Sequence, residues 1–307
     1  MTADPTPAAQ LRTLLDESPP VVAPGAFNAL FARLIEEQQF PAVYLSGAGV
    51  ANSVLGRPDL GIFTQTEIVS VAEHVCAAVE IPVICDGDTG YGGVHNVART
   101  IQLYERAGVA AIQLEDQMFP KKCGHFEGKV VVPPEEMVQR ILAAQDARSN
   151  EDGILIIART DARAPLGFDE AMDRAHRYAE AGADILFFEA PQNEQELERI
   201  GSELVGHRLM ANMVEFGKTP LLPAERLGEM GFHLIIHPGA LTRALVPTAR
   251  QLLSDLRQQG STVSWLDRMA TFQEVNEVVG LTQTNEWEAD VARRAALFNP
   301  PEDDNDG

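Results

Sequence analysis

Lysine is scarce in this chain of 307 residues, which carries 24 basic and 45 acidic side chains and a formal net charge of −21. Its only lysines are Lys121, Lys122, Lys129 and Lys218, and three of them lie in one short stretch. So acidic a chain repels polyanions, and we expect neither nucleic acid nor an anionic membrane as a partner. The charge favours adaptation to high salt, where screening weakens self-repulsion, over a simply acidic protein.

Cysteine is equally rare. Cys76, Cys85 and Cys123 are odd in number and show neither paired spacing nor a metal-binding pattern, which fits a reducing compartment. No apolar run approaches the roughly 20 residues of a membrane span. The N-terminus lacks the basic and apolar regions of a signal peptide. We therefore expect a cytoplasmic location.

Eight short apolar runs alternate with amphipathic stretches. The runs, almost wholly apolar as strands covered on both faces should be, are Val21–Phe27, Ala42–Ser46, Pro82–Cys85, Ala111–Leu114, Ile154–Ala158, Ile185–Phe188, Leu209–Ala211 and Leu234–Ile236. The stretches between them are Ala29–Gln39, Gln65–Val79, Val94–Ala107, Pro134–Arg148, Phe168–Ala181, Gln195–Leu204 and Ala224–Met230. Eight such alternations predict an α/β fold, a TIM-type (β/α)8 barrel of parallel strands. A doubly wound sheet is disfavoured because no Gly-x-Gly-x-x-Gly follows the first strand.

Helical patterns continue after the last strand, over Ala240–Gln258, Val263–Val279 and Asn285–Ala296. A closed barrel does not need them, so they predict extra C-terminal helices that cover the barrel or pack on a neighbouring subunit. We expect one barrel domain over residues 1–307, with a proline-rich leader at 1–20, a helical extension at 240–298 and an acidic, disordered tail at 299–307.

Polar residues follow almost every predicted strand, where a barrel places its active site. They are Ser46-Gly47-Ala48, Asp86 to Asp88, Glu115-Asp116, Arg159 to Asp161, Glu189, Asn212 and His237. Because an unpaired buried charge is costly, chance rarely gives this pattern. The sequence therefore predicts a site at the carboxyl ends of the strands.

Asp86, Asp88 and Glu115 end adjacent strands, and three converging carboxylates without a cation would repel one another. This predicts a hard divalent ion, Mg²⁺ with Mn²⁺ as the alternative, because no histidine or cysteine set suits zinc. In the competing interpretation, Asp86 and Asp88 form structural salt bridges with Arg159. In the functional interpretation, Arg159 binds a substrate carboxylate through two hydrogen bonds, and the metal and the arginine together stabilise an enolate.

The loop from Gln117 to Lys129 contains Cys123 beside two lysines, which favour its thiolate, and two flexible glycines. We expect a mobile loop whose thiol adds or removes a proton and whose lysines serve an anionic substrate. A solvated surface loop with a chance cysteine is the alternative.

These segments together resemble the isocitrate lyase/phosphoenolpyruvate mutase superfamily, and most of all its 2-methylisocitrate lyase group. The resemblance runs from about residue 20 to residue 260 and rests on Tyr44 to Val50, Leu55 to Gly61, Asp86 to Gly92, Asn96 to Thr100, Glu115 to Gln117, Lys121 to His125, Ala158 to Ala162 and Asn212 to Pro220. It implies an (α/β)8 barrel, Mg²⁺ dependence, retro-aldol cleavage of a carbon–carbon bond, and a homotetramer that exchanges its terminal helices.

The resemblance also implies roles for single residues. Asp86 and Asp88 match the metal site, with Asp59 and Glu115 in its outer shell. Cys123 matches the residue that protonates the departing dicarboxylate, and His125, Tyr44, Glu115 and Arg159 complete the catalytic set. The residues that match substrate contacts are Ser46, Gly47, Ala48, Gly124, Arg159, Glu189, Asn212 and Arg243.

Phe272 departs from the pattern, because the 2-methylisocitrate lyase group has an arginine there for the third carboxylate of the substrate. This chain shares features of the region with dimethylmalate lyase, oxaloacetate hydrolase and carboxyphosphonoenolpyruvate mutase. The sequence predicts a Mg²⁺-dependent lyase that cleaves a 2-methylisocitrate- or alkylmalate-like 2-hydroxy acid to pyruvate, or another 2-oxoacid, and a dicarboxylate. Oxaloacetate hydrolysis, phosphonate rearrangement and a non-catalytic barrel that binds 2-oxoacids are the alternatives.

Overall fold

The computed structural model describes residues 5–122, 124 and 128–298. Its eight strands lie where the apolar runs predicted them: β1 Val21–Ala26, β2 Val43–Leu45, β3 Val83–Asp86, β4 Ala111–Glu115, β5 Leu155–Thr160, β6 Ile185–Phe188, β7 Arg208–Asn212 and β8 Leu234–His237. Each strand pairs in parallel with its chain neighbours, and β8 pairs with β1 to close the barrel. The predicted (β/α)8 fold is confirmed.

Helices form the connections and the C-terminal segment. Their bounds are α1 Pro7–Glu17, α2 Ala29–Glu37, α3 Gly47–Val50, α4 Gln65–Cys76, α5 Val94–Arg106, α6 Pro134–Ala147, α7 Arg163–Leu166, α8 Phe168–Glu180, α9 Glu194–Glu203, α10 Ala224–Glu229, α11 Ala240–Gln259, α12 Phe272–Val278 and α13 Leu281–Ala296. A π-helical turn at Ala51–Leu55 extends α3, and a 3-10 helix at Val263–Arg268 precedes α12. Within the described ranges no helix is long and apolar enough to cross a bilayer.

The chain divides into two compact units, Met1–Thr248 and Ala249–Gly307. The first holds the barrel. The second is helical, and within it Trp265 Nε1 donates a hydrogen bond to Asp255 Oδ2 at 2.8 Å, while the Arg268 guanidinium lies 3.9 Å from the centre of the Trp265 ring. The acidic tail predicted over 299–307 lies outside the described residues.

The region expected to be a leader contains helix α1. Thr6 caps it, its Oγ1 accepting the Ala9 N–H at 3.1 Å, and proline suits the first helical turn. Leu11 and Leu15 are fully buried and join the apolar cluster inside the barrel, next to the first residues of the strands. Helix α1 thus packs on the barrel at the end opposite the carboxyl ends of the strands.

Alternation along each strand separates two apolar layers. Inward residues such as Ile84 and Leu155 form the interior cluster, whereas outward residues such as Cys85 and Ile156 pack against the surrounding helices. Cys85 is a core residue, and Cys76 packs at the edge of the same layer.

Candidate active site

The inward row of side chains changes from apolar to polar as each strand ends. Side chains two residues apart face the same way in a strand, so the polar residue continues the row begun by the apolar one. The pairs are Ile84 and Asp86 on β3, Ala111 and Gln113 on β4, Ile157 and Arg159 on β5, Phe187 and Glu189 after β6, and Met210 and Asn212 on β7. The carboxyl end of the barrel is therefore lined with charge above an apolar floor.

Strand register sets which of these side chains are neighbours. Asp86 is the Cα partner of Gln113, and Glu115 is the partner of Arg159. A cavity of about 180 Å³ opens at this end. Of the residues predicted for the site, those that line the cavity are Tyr44, Ser46, Ala48, Asp59, Asp86, Glu115, Gly124, Arg159, Glu189, Asn212 and Arg243.

Asp86, at the end of β3, lines the cavity, whereas Asp88 lies just behind it and is not part of the lining. Asp86 Oδ1 accepts the Asp88 N–H at 3.0 Å, and Lys121 Nζ lies 2.8 Å from Asp88 Oδ1 and 2.5 Å from Asp59 Oδ1. Burial raises the pKa of Asp88 to about 7; Lys121 opposes the rise and Asp86 adds to it. Because Asp88 pairs with Lys121, the interpretation in which Asp86 and Asp88 bind Arg159 is wrong.

The carboxylates near the cavity offer only oxygen ligands to a divalent cation. Within the described part of the chain, no three histidine, cysteine, aspartate or glutamate side chains are arranged to hold a metal ion, so Asp86, Asp88 and Glu115 do not form one ligand group. Two buried carboxylates close together, Asp86 and Asp88, nevertheless suit Mg²⁺, which takes one or two carboxylates from a protein and keeps waters or substrate oxygens. The oxygen-only donor set fits such an ion.

Arg159 is enclosed by carboxylates. Its Nε and Nη2 donate to both oxygens of Asp161 at 2.8 and 2.9 Å, and Glu115 and Glu189 lie 3.5 and 3.9 Å away. Burial alone would lower the pKa of Arg159, but these three acids raise it well above its usual value. Asp161 therefore fixes the guanidinium from one side, and the positive charge of Arg159 lies next to the cavity.

Gln113 is a site residue that the sequence reasoning missed. The Tyr44 hydroxyl donates to Gln113 Oε1 at 3.0 Å, and Gln113 Nε2 donates to Asp86 Oδ1 at 3.4 Å. The side chain is fully buried and lines the cavity. Its signal was available, because it is the one polar residue within the apolar run Ala111–Leu114.

The turn after β2 brings the backbone of Gly47 close to Asp86. Ser46 Oγ accepts the Gly49 N–H at 3.1 Å and begins the helical turn. A Cβ on Gly47 would lie 2.7 Å from Asp86 Oδ2. A side chain at Gly47 would therefore displace Asp86, which explains why glycine stands there.

Several buried acceptors in the cavity lack a protein donor. Glu115 Oε1, Asn212 Oδ1 and Thr242 Oγ1 have no hydrogen-bond partner among the described residues, and all three side chains line the cavity. Leaving a buried polar atom unpaired costs about 1–3 kcal/mol. Such atoms at one opening are typical of a binding site, where a ligand supplies the missing partners.

Cys123 and His125 lie outside the described residues, but Gly124 between them is described. Gly124 lies against the cavity wall, where an added Cβ would collide with Glu189 and Arg159. The structure therefore places the backbone of Gly124, the residue that follows Cys123 in the sequence, next to Arg159.

The three loop lysines each have a partner among the described residues. Lys121 is held by two aspartates, Lys129 Nζ lies 2.7 Å from Asp161 Oδ1, and Lys122 Nζ donates to the Gly128 carbonyl at 2.9 Å. Lys121 and Lys122 line the cavity, where an anionic substrate would bind, while Lys121 and Lys129 also neutralise buried carboxylates. Because Cys123 lies outside the described residues, the effect of the lysines on its thiol stays a prediction.

In this closed barrel, acidic residues at the ends of the strands surround one arginine. This arrangement is typical of barrel enzymes that act on small anions. The family model described as phosphoenolpyruvate phosphomutase matches residues 11–257, and the chain belongs to that family. The predicted resemblance to the isocitrate lyase/phosphoenolpyruvate mutase superfamily is confirmed.

Relatives and solved structures resemble the chain over nearly its whole length. The chain is 46% identical over 285 residues to 2,3-dimethylmalate lyase of Eubacterium barkeri, covering 93% of this chain and 98% of that one. It is 42% identical over 289 residues to 2-methylisocitrate lyase of Aeropyrum pernix, covering 94% and 92%. Oxaloacetate acetylhydrolase in complex with 3,3-difluorooxalacetate matches with a TM-score of 0.90 at 35% identity, covering 94% and 97%. Phosphonopyruvate hydrolase in complex with oxalate and Mg²⁺ matches with a TM-score of 0.83 at 29% identity, covering 92% and 98%.

Proposed function

We propose that this chain is a carbon–carbon lyase that cleaves a 2-hydroxy acid of the alkylmalate or 2-methylisocitrate kind. The observation that carries the proposal is the cavity in which Arg159, Glu115 and Asp86 meet. The two lyase relatives, at 46% and 42% identity, support the reaction type. One product is pyruvate or another 2-oxoacid. The other is a dicarboxylate from a tricarboxylic substrate and a monocarboxylate from an alkylmalate.

The proposed cofactor is Mg²⁺, held by Asp86 and Asp88 with Asp59 and Glu115 near them. When bound, the ion would supply Lewis acidity to the substrate oxygens. Its support is the oxygen-only donor set and the Mg²⁺ in the solved complex of phosphonopyruvate hydrolase. Mn²⁺ would suit the same ligands.

Arg159 binds the carboxylate next to the reacting carbon. Asp161 fixes the guanidinium of Arg159 through two hydrogen bonds. Because the arginine is already in place, little conformational entropy is lost when it forms a charge-assisted hydrogen bond to the substrate. The turn at Ser46, Gly47 and Ala48 borders the same cavity and holds the 2-oxoacid end.

Cleavage needs one proton acceptor and one proton donor. Glu115, whose Oε1 has no donor among the described residues, accepts the proton of the 2-hydroxyl as the C2–C3 bond breaks. C2 becomes the carbonyl carbon of the 2-oxoacid and the electron pair of the broken bond goes to C3. Cys123 gives its proton to C3, so each bond broken is matched by one formed.

Phe272 favours the smaller substrate. The side chain is 88% exposed and cannot pair with a carboxylate, where the resemblance implies an arginine. Losing one charge-assisted hydrogen bond costs on the order of 2–3 kcal/mol. An alkylmalate, with two carboxylates, therefore suits this chain better than a tricarboxylic acid.

The direct test supplies Mg²⁺ with 2,3-dimethylmalate, 2-methylisocitrate or oxaloacetate and measures 2-oxoacid formation. We expect turnover of a 2-hydroxy acid, with dimethylmalate preferred, and its loss in Cys123→Ser without loss of Mg²⁺ binding. Turnover that survives in Cys123→Ser would show that the proposed proton donor is wrong.

Oxaloacetate hydrolysis is the second candidate, favoured by the TM-score of 0.90 to oxaloacetate acetylhydrolase. It would release oxalate and acetate rather than pyruvate. Measuring oxalate in the same reaction mixtures separates the two reactions, because oxalate is formed only in hydrolysis.

For assembly, the resemblance supports a cytoplasmic homotetramer that exchanges its C-terminal helices. Exposed apolar side chains in the second unit, among them Leu253, Trp287 and Leu297, are suited to burial in such an assembly. Sedimentation velocity at micromolar concentration would give a mass about four times 33.4 kDa; a monomer would contradict the tetramer.

A further inference from the structure

Lys129 is a buried cation that the proposed reaction does not use. Its side chain is 1% exposed and its Nζ lies 2.7 Å from Oδ1 of Asp161, which is 0% exposed. The same Nζ donates to the carbonyl oxygen of Gly124. One ammonium group therefore joins an aspartate at the end of β5 to the loop backbone beside Cys123.

Asp161 connects this lysine to Arg159. Each carboxylate oxygen of Asp161 accepts from the guanidinium, at 2.8 and 2.9 Å. Gly124, the other partner of Lys129, lies so close to Arg159 that an added Cβ would collide with it. Lys129, Asp161, Arg159 and Gly124 therefore form a closed ring of contacts.

Two contacts in the ring are made by the lysine itself. Without the ammonium, Arg159 would be the one cationic partner left to Asp161 among the described residues, and the Gly124 carbonyl would lose this donor. Burial would raise the pKa of Asp161, but Arg159 and Lys129 hold it well below its usual value. The bidentate bond from Arg159 would persist, so the arginine should keep its place while the loop backbone loses its tie.

We propose that Lys129 is a positioning residue, which holds the backbone of Gly124 at a set place relative to Arg159; Cys123 is the residue that precedes Gly124 in the sequence. This inference rests on the proposed function, in which Arg159 binds the substrate and Cys123 protonates the new C3 centre. A misplacement of about 1 Å can cost on the order of 100-fold in rate. The lysine would therefore act on the proton-transfer step and not on substrate affinity.

The kinetic test uses Lys129→Met, which keeps the length of the side chain and removes the charge. We expect kcat to fall about 10- to 100-fold, with KM changed less than about threefold because Arg159 stays bound to Asp161. Arg148→Met is the matched control: Arg148 also pairs with an aspartate, Asp184 at 3.1 Å, but at the amino ends of the strands. Its kcat should stay within about twofold of the wild-type value. An unchanged kcat in Lys129→Met, or a raised KM with kcat retained, would overturn the proposal.

Amide hydrogen exchange gives a measure independent of turnover. In Lys129→Met, exchange in the peptide containing Gly124 should rise at least about tenfold, while exchange in β8 stays unchanged. Faster exchange in β8 as well would show a general loss of structure and overturn a specific role. If the wild-type chain turns over none of the three acids, the proposed function fails, and the exchange result still decides whether Lys129 holds the loop.

Discussion

Glu115 and Asp116 are adjacent in the chain, yet their side chains have different surroundings. Glu115 faces the cavity beside Arg159. Asp116 points to the other side of β4, where Oδ2 accepts from the Tyr178 hydroxyl at 2.9 Å and from Arg174 at 3.2 Å. Successive side chains along a strand point to opposite faces, so Glu115 lies in the site whereas Asp116 has a structural role.

A second residue-scale consequence concerns Asp86 as a metal ligand. Mg²⁺ that binds only the folded state raises the free energy of unfolding, by about 2.7 kcal/mol at 100 times its dissociation constant. We expect Mg²⁺ to raise the Tm of the wild-type protein and to have no effect on Asp86→Asn, measured by differential scanning calorimetry. Glu135→Gln, at an exposed pair with Arg177, is the control that should keep the shift. A shift that persists in Asp86→Asn would place the ion elsewhere.

At the scale of elements, the strands could be predicted and helix α1 was not. Each strand is a short apolar run, because both of its faces are covered. Prolines in the first twenty residues suggested a leader, although Leu11, Leu14 and Leu15 already show helical spacing behind a Thr6 cap. The local sequence pattern thus predicts a helix here. Only the fold shows that the apolar face of this helix packs against the barrel interior.

Helix α1 should contribute strongly to stability. Leu11 is fully buried in the interior cluster, so Leu11→Ala should lower the free energy of unfolding by about 2–5 kcal/mol through lost burial and a cavity. Urea denaturation followed by circular dichroism measures the change. Thr13→Ala, on the exposed face of the same helix, should change it by less than about 0.5 kcal/mol. Equal effects would show that α1 is not packed as described.

The candidate site could be predicted in part. Residues at the strand ends were found because parallel strands bring their carboxyl ends together, and most of them line one cavity. Partnerships between charges were harder to predict: Lys121 and Lys129 pair with acids that lie far away in sequence. Such pairs depend on the geometry of the closed barrel, which sequence neighbours do not reveal.

For the whole molecule, the net charge of −21 predicts a salt effect on stability. Like charges repel more strongly in the compact state, and at about 1 M salt the screening length falls to about 3 Å. We therefore expect Tm to rise between about 0.05 and 1 M KCl. Choline chloride at equal ionic strength is the control and should act alike. A Tm that stays constant or falls would contradict the self-repulsion argument.

The central claim is that one carbon–carbon bond is broken and that the released carbon receives a proton from the enzyme. Turnover of 2,3-dimethylmalate with Mg²⁺ in D₂O, followed by NMR, tests it most directly. The account predicts pyruvate and an equal amount of a monocarboxylic acid with one deuterium at the former C3, and neither product with Cys123→Ser. Intact substrate with the wild-type enzyme, or a second product without deuterium, would contradict it.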